Sequence, residues 1–260
     1  MIKEISYQNK EEWLKLRKGY IGGSDAGSVV GLNPYKSAYT LWAEKTGKIP
    51  EFEGNIVTKV GSYLEDLVAL MFTEETGKVV RRKNKILVNE QYPFACADVD
   101  RMVVGEKAIL ECKTTNSPVA VKKFKNGEYP EYWYCQMTHY LAVTGFEKAY
   151  LAVLIESRDF KIFELKRDEE EIASLMNAEK DFFELVKKDT PPAADGLAST
   201  SETLSALYPQ SNTENVNLYI YEKELAEYTT ISAQIKALEG RKDELANKVK
   251  ESLGIPYMPS

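Results

Sequence analysis

The chain has 260 residues, 43% apolar and 28% charged, with a formal net charge of -6. That is room for one sizeable core plus an appendage, and the mild acidity argues against a surface that coats nucleic acid all over, though not against a local basic groove. No apolar run approaches the roughly 18 residues of a membrane span, and the charged opening "MIKEISYQNKEEW" lacks the apolar stretch of a secretory leader, so a cytoplasmic protein without a membrane partner is expected.

"NKEEWLKLRKGY" reads as a short amphipathic helix, with Asn9 as N-cap and Glu12 completing a capping box. In "IGGSDAGSVVGLNPY", Gly22 and Gly23 permit a tight turn, Ser24 or Asp25 caps a second helix, and Asn33-Pro34 ends it. "SAYTLWAEKTG" is a third helix closed by Gly47. From Ile56 to Thr76 the apolar residues fall at helical spacing. "VVRRKNKILV", "FACADVDRMVV" and "KAILECKTT" read as three successive strands. The spacing then predicts a helix over 130–144, the strands "KAYLAVLI" and "FKIFEL", and a charged helix over 168–188.

Residues 189–214 are rich in Pro, Ser, Thr and Asn and read as a linker. Beyond them Leu225, Tyr228, Ile231, Ile235, Leu238, Leu245 and Val249 recur at steps of three and four. That pattern predicts a coiled-coil type helix, interrupted by Lys242 and weakened by Gly240. The expected organisation is a main domain at 1–188, a linker at 189–214 and a helical extension at 215–260, the core being α/β with a mixed sheet.

The three cysteines, Cys96, Cys112 and Cys135, are widely spaced with no CxxC pair, which disfavours a disulfide scaffold and a structural zinc. The single histidine, His139, leaves little room for a triad. No G-x-x-x-x-G-K-[ST] is present, so nucleotide hydrolysis is not implied.

The strand "AILECKTT" is the anomaly. Glu111 and Lys113 point to one face of a strand whose start is apolar. If 96–104 and 107–113 form an antiparallel hairpin, Asp100 approaches Glu111 across the ladder. Two such carboxylates repel unless a cation lies between them, and hard carboxylate oxygens suit Mg²⁺ or Mn²⁺. The Cys112 backbone carbonyl could add an oxygen, and Glu65, on the polar edge of its helix, a third carboxylate. Lys113 could orient or deprotonate water, or neutralise charge on a phosphate. Gln136 and Tyr140, four apart on one helix face, could hold water and touch a DNA backbone. The bland alternatives are a surface salt bridge for Glu111–Lys113, solvent exposure for Glu65 and helix packing for Gln136 and Tyr140.

Five segments in this order, "WLKLRKGYIGGSDAG", "GSYLED", "ACADVDRM", "LECK" and "QMTHYLAVTG", resemble the YqaJ-type viral recombinases, relatives of phage lambda exonuclease. The resemblance runs from about Glu12 to Glu156. It implies a PD-(D/E)xK restriction-endonuclease-like core and an exonuclease that digests one strand of duplex DNA from its 5′ end. The single strand left behind would pass to an annealing protein for homologous recombination. Carried across, Asp100, Glu111 and the Cys112 carbonyl match metal ligands, with Glu65 near a second ion, Lys113 the catalytic lysine and Gln136 the glutamine of the site. Arg17 and Ser24 match residues that hold the 5′-phosphate. The resemblance also implies a homo-oligomer, a trimer in the lambda enzyme. Asp98 and Val119 depart from the pattern of that phosphate pocket, and Lys122, Lys123 and Lys125 stand nearby. The competing readings are an endonuclease or repair nuclease of the same fold, a non-catalytic DNA-end-binding protein, and a module working through the terminal helix.

Overall fold

The computed structural model describes residues 1–210 and 218–254. The chain divides into two units, Met1–Pro209 and Gln210–Ser260. The first unit opens with β1 (Ile2–Ile5) and α1 (Lys10–Lys18). Asn9 caps α1 by accepting from the Glu12 amide at 2.9 Å, while the Glu12 carboxylate reaches back to the amide of Gln8 rather than that of Asn9. Then come β2 (Ile21–Gly22), α2 (Gly23–Val29), α3 (Ala38–Lys45) and α4 (Ile56–Thr76). The last matches the span set by its apolar periodicity, and it stops where Gly77 takes a φ of 69°.

The strand region is more divided than its hydrophobicity suggests. β3 (Val80–Arg81), β4 (Ile86–Asn89), β5 (Tyr92–Ala97), β6 (Arg101–Val103) and β7 (Ala108–Thr115) replace the three predicted strands. They are followed by α5 (Pro118–Lys125), α6 (Glu131–Thr144), β8 (Lys148–Ile155), β9 (Asp159–Lys166), α7 (Glu169–Lys187) and α8 (Ala198–Leu207). Strands β1-β4-β5-β2 form one sheet and β3-β6-β7-β8-β9 another. The second is mixed, with β7 and β8 parallel and its other pairs antiparallel. Asp98, Val99 and Asp100 carry the chain from the first sheet to the second. A break at that place frees an acidic side chain from the ladder and puts it at the end of both sheets.

Strand alternation sorts the core into two layers around the five-stranded sheet. Leu110, Tyr150, Ala152 and Leu154 pack on Val68, Ala69 and Phe72 of α4. Ile109, Leu151, Val153 and Ile155 pack on the other face with Trp133, Met137 and Leu141 of α6. β8 is therefore apolar on both faces, as a central strand covered by two helices must be. No described helix is long and apolar enough to cross a membrane.

The linker expected at 189–214 is corrected over 198–207, where α8 forms and docks on α3. The Thr203 hydroxyl lies 2.8 Å from that of Thr40, which also donates to the Ser199 carbonyl at 2.9 Å. The amide of Ser37 donates to the Ser199 hydroxyl at 3.0 Å. The hydroxyl-rich composition that reads as loop is here the docking surface, with Leu204 and Leu207 against the α3 cluster. The compact unit thus runs to Pro209 rather than 188.

The second unit holds a 3₁₀ turn at Leu218–Tyr221 and the predicted long helix as α9 (Glu222–Leu253), which buries none of its residues. The end of the expected linker, 211–214, and the edges of the expected extension, 215–217 and 255–260, lie outside the described residues.

Candidate active site

β7 delivers both charges to one face. Arg101 pairs with Leu110 in the β6–β7 ladder, so Asp100, one residue beyond, stands opposite Glu111. Asp100 Oδ2 accepts from the Cys112 amide at 2.8 Å, which fixes the carboxylate against the strand. Glu111 is 2% exposed. Its Oε1 accepts from Lys113 Nζ at 2.6 Å and from Gln136 Nε2 at 2.7 Å, while its Oε2 is buried and accepts no hydrogen bond. An orphaned buried acceptor ordinarily costs about 1–3 kcal/mol, so this atom needs an explanation.

The electrostatics agree. Burial, then the charge of Glu111, hold the Asp100 carboxyl well above the ordinary carboxylate range, and Lys113 opposes them. Burial also raises Glu111, against the pull of Lys113. Burial works against the Lys113 charge but loses to Glu111 and Asp100, so the amine is held above its usual value and stays an ammonium.

α6 supplies the third wall. Gln136 and Tyr140 share one face of it, and Gln136 Nε2 also donates to the Tyr140 hydroxyl at 3.1 Å. That hydroxyl donates to the Asp98 carbonyl at 3.0 Å, and the residue is 5% exposed. Tyr140 lines the pocket with its hydroxyl engaged within the protein, where it holds Gln136. Gly23 explains the close approach of α2, since a Cβ there would lie 2.4 Å from Tyr140 Cε1.

α1 closes the opposite side. The Arg17 guanidinium lies over the Trp13 ring, 5.1 Å from its centroid, and donates to the Ser24 hydroxyl. A Cβ on Gly22 would come within 3.0 Å of Arg17 Nε, so the glycine makes room for the cation. Trp13 Nε1 donates to Asp98 Oδ2 at 2.6 Å. Arg17, Ser24, Asp98, Asp100, Glu111 and Lys113 all line one pocket of about 210 Å³.

The sequence reading missed Trp13, although it falls four residues before Arg17, on one helix face, where a cation–π pair could be sought. It also missed Arg101. That guanidinium is 4% exposed and takes Glu65, Asp66 and the Asp100 carbonyl as partners. Glu65, expected to join Asp100 and Glu111, pairs here with Arg101, and its charge still bears on both carboxyls. Among the described residues no three His, Cys, Asp or Glu gather as a metal-holding group. The Cys112 side chain packs toward α4, away from the pocket. Val119 is exposed on α5, a helix the sequence reading did not anticipate.

Comparison with known proteins places the fold and the family. The alkaline exonuclease LHK-Exo from Laribacter hongkongensis, also solved in complex with dAMP, superposes with a TM-score of 0.60 at 20% identity, covering 69% of this chain and 94% of that one. A putative exonuclease from Eubacterium rectale gives a TM-score of 0.51 at 13% identity, over 82% of this chain and 97% of the other. The fold is thus that of the PD-(D/E)xK type, with helices on both faces of a mixed sheet. In sequence, the Bacillus subtilis protein YqaJ is 41% identical over 259 residues, spanning 97% of this chain and 81% of its own length. Residues 12–147 match the YqaJ-like viral recombinase domain, and the chain belongs to that family.

Proposed function

We propose that this protein is a divalent-metal-dependent deoxyribonuclease that digests one strand of linear duplex DNA from its end, 5′ to 3′, leaving single-stranded DNA for an annealing protein to use in recombination. It acts in the cytoplasm of a bacterial host. The carrying observation is Glu111: a buried carboxylate with one oxygen locked by Lys113 and Gln136 and the other bare, beside Asp100. Hard oxygens placed in this way fit Mg²⁺ or Mn²⁺, and with Glu65 held by Arg101 the residues fit one ion, through Asp100, Glu111 and the Cys112 carbonyl. When bound, such a cation lowers the pKa of an attacking water and stabilises charge on the phosphate and leaving oxygen.

The protein's own groups do the rest. Gln136 holds Glu111 in one orientation by its 2.7 Å bond, and Tyr140 holds Gln136. Lys113, 2.6 Å from Glu111, is placed to neutralise developing phosphate charge or to orient the attacking water. Arg17 and the Ser24 hydroxyl offer donors to a terminal phosphate, with the Asp98 carboxylate beside them. The reliance on a 5′-phosphate is therefore a quantity to measure. Partner strands and self-assembly, a trimer included, follow from the family reading.

The test is digestion of duplexes labelled at one end, with and without a 5′-phosphate, alongside closed circles, in Mg²⁺ or chelator. The expected result is metal-dependent loss of linear DNA from the 5′ end with circles spared, abolished by Lys113→Ala. Cut circles would favour an endonuclease, and undiminished digestion by Lys113→Ala would remove this site from the reaction.

A further inference from the structure

Five charged side chains line the pocket, Arg17 and Lys113 against Asp98, Asp100 and Glu111. Lys113 is bonded to Glu111, and the proposed cation answers Glu111 and Asp100. One pair is left over, Arg17 and Asp98, and a single indole joins them. The Trp13 ring lies against the Arg17 guanidinium, 5.1 Å from centroid to carbon, while Trp13 Nε1 donates to Asp98 Oδ2 at 2.6 Å. Asp25, which also acts on Arg17, is buried and paired with Lys45 at 2.8 Å. The wall facing the cation site therefore carries a plus and a minus rather than a bare positive charge.

What such a wall accepts depends on how a strand ends. On the nuclease reading, a strand whose phosphodiester reaches Asp100 and Glu111 turns its terminal group to Arg17, Ser24 and Asp98. A terminal phosphate carries about two negative charges and offers acceptors. It suits Arg17 and the Ser24 hydroxyl but sets its oxygens against the Asp98 carboxylate, which has no proton to give. Like charges brought together in this way cost affinity. A terminal hydroxyl is uncharged and both donates and accepts. Among the described residues Asp98 Oδ1 accepts no hydrogen bond, so it is free to take that proton. The Ser24 hydroxyl, which accepts from Arg17, keeps its own proton to donate to the same terminal oxygen.

We propose that Asp98 sets the end specificity of this protein, which takes strands ending in a 5′-hydroxyl at least as readily as strands ending in a 5′-phosphate. The proposal rests on the nuclease reading only for what enters the pocket, and binding tests it apart from cleavage. Short duplexes that differ only in their 5′ groups, each with an internal dye, are titrated with the full-length protein in chelator. Anisotropy is followed at about pH 8, where carboxylates are charged. Wild type should bind hydroxyl ends as tightly as phosphate ends, or more tightly. Asp98→Asn keeps an oxygen for Trp13 and puts N–H donors in place of the bare one, and it should shift the ratio toward phosphate at least about tenfold. Digestion rates on the same duplexes in Mg²⁺ should shift in the same direction. Wild type preferring phosphate ends, a ratio unmoved by Asp98→Asn, or no binding of either duplex would each overturn the proposal. Absence of Mg²⁺-dependent digestion, with both binding ratios as expected, would instead overturn the nuclease reading and leave the end specificity standing.

Discussion

Two buried carboxylates flank helix α6 and have opposite fates. Glu179 is wholly buried, and His139 Nδ1 lies 2.8 and 2.9 Å from its two oxygens. The other ring nitrogen of His139 donates to the Cys96 carbonyl at 2.9 Å, so the group is closed on all sides. Glu111, almost as deeply buried, has two donors on one oxygen and none on the other, with a second acid at its side. A satisfied buried charge ties β5, α6 and α7 together. An unsatisfied one, in a pocket beside a second acid, is what the proposed cation site requires. One helix serves both, with Gln136 and Tyr140 turned to the pocket and His139 turned toward α7.

This contrast is sharpest in Glu111→Gln. Losing a hard anionic oxygen where a cation should bind is expected to cut DNA digestion at least about a thousandfold, roughly 4 kcal/mol in activation free energy. Stability should move by only about 1 kcal/mol, because Asp100 remains to neutralise Lys113 and one of two crowded acids is gone. Rates on an end-labelled duplex and a urea titration of the same preparation check the two halves. A large loss of stability with activity retained would show that Glu111 belongs with Glu179.

His139→Ala should do the reverse. It strands a wholly buried carboxylate, and breaking such a pair costs about 3–5 kcal/mol, while cleavage per folded molecule is unchanged. The pH dependence has a definite sign. Burial lowers the His139 pKa, but Glu179 and the hydrogen bonds outweigh it and hold the imidazole above its usual value of about 6.5. A raised folded pKa contributes stability that is fully present below the unfolded value and lost as pH rises through the folded one. Burial also raises Glu179, against the pull of His139, which gives the same sign. Thermal melts should therefore fall as pH climbs above about 6.5, and the alanine variant should lose the share of that limb that belongs to His139 while keeping that of Glu179.

Gly23→Ala attacks the joint between the two regions. The added methyl would lie 2.4 Å from the Tyr140 ring, a buried side chain with nowhere to retreat. Overpacking of this kind costs about 1–3 kcal/mol. Because Tyr140 positions Gln136, activity should drop as well, by a smaller factor than in Glu111→Gln. Melting temperature and digestion rate measured together would show whether α2 supports the site or merely covers it.

The site was legible in sequence wherever strand geometry decides. A period of two places Glu111 and Lys113 together, and a hairpin ladder brings Asp100 opposite. Long-range competition for a charge was not legible: nothing local says that Arg101 takes Glu65, since the two are brought together only by α4 folding over β6. The break at Asp98–Asp100 was hidden because "FACADVDRMVV" is apolar enough to read as one strand, and only the existence of two sheets divides it. α8 was hidden for a different reason. Serine and threonine favour loops when their hydroxyls serve their own backbone, but here Ser199 and Thr203 serve α3.

The smallest expected effect belongs to Tyr140→Phe, and it separates the two regions most finely. The hydroxyl accepts from Gln136 and donates to the Asp98 carbonyl, at 3.1 and 3.0 Å. Its removal leaves the Asp98 carbonyl short of a donor and one Gln136 N–H short of an acceptor, about 0.5–1.5 kcal/mol of stability for each bond lost, and leaves the ring against Gly23 undisturbed. Gln136 keeps its bond to Glu111, so the carboxylate stays in place and digestion should fall less than tenfold. A loss as deep as that of Glu111→Gln would mean that the phenol itself meets the substrate, and Tyr140 would return to the DNA-contacting role that its buried hydroxyl argues against.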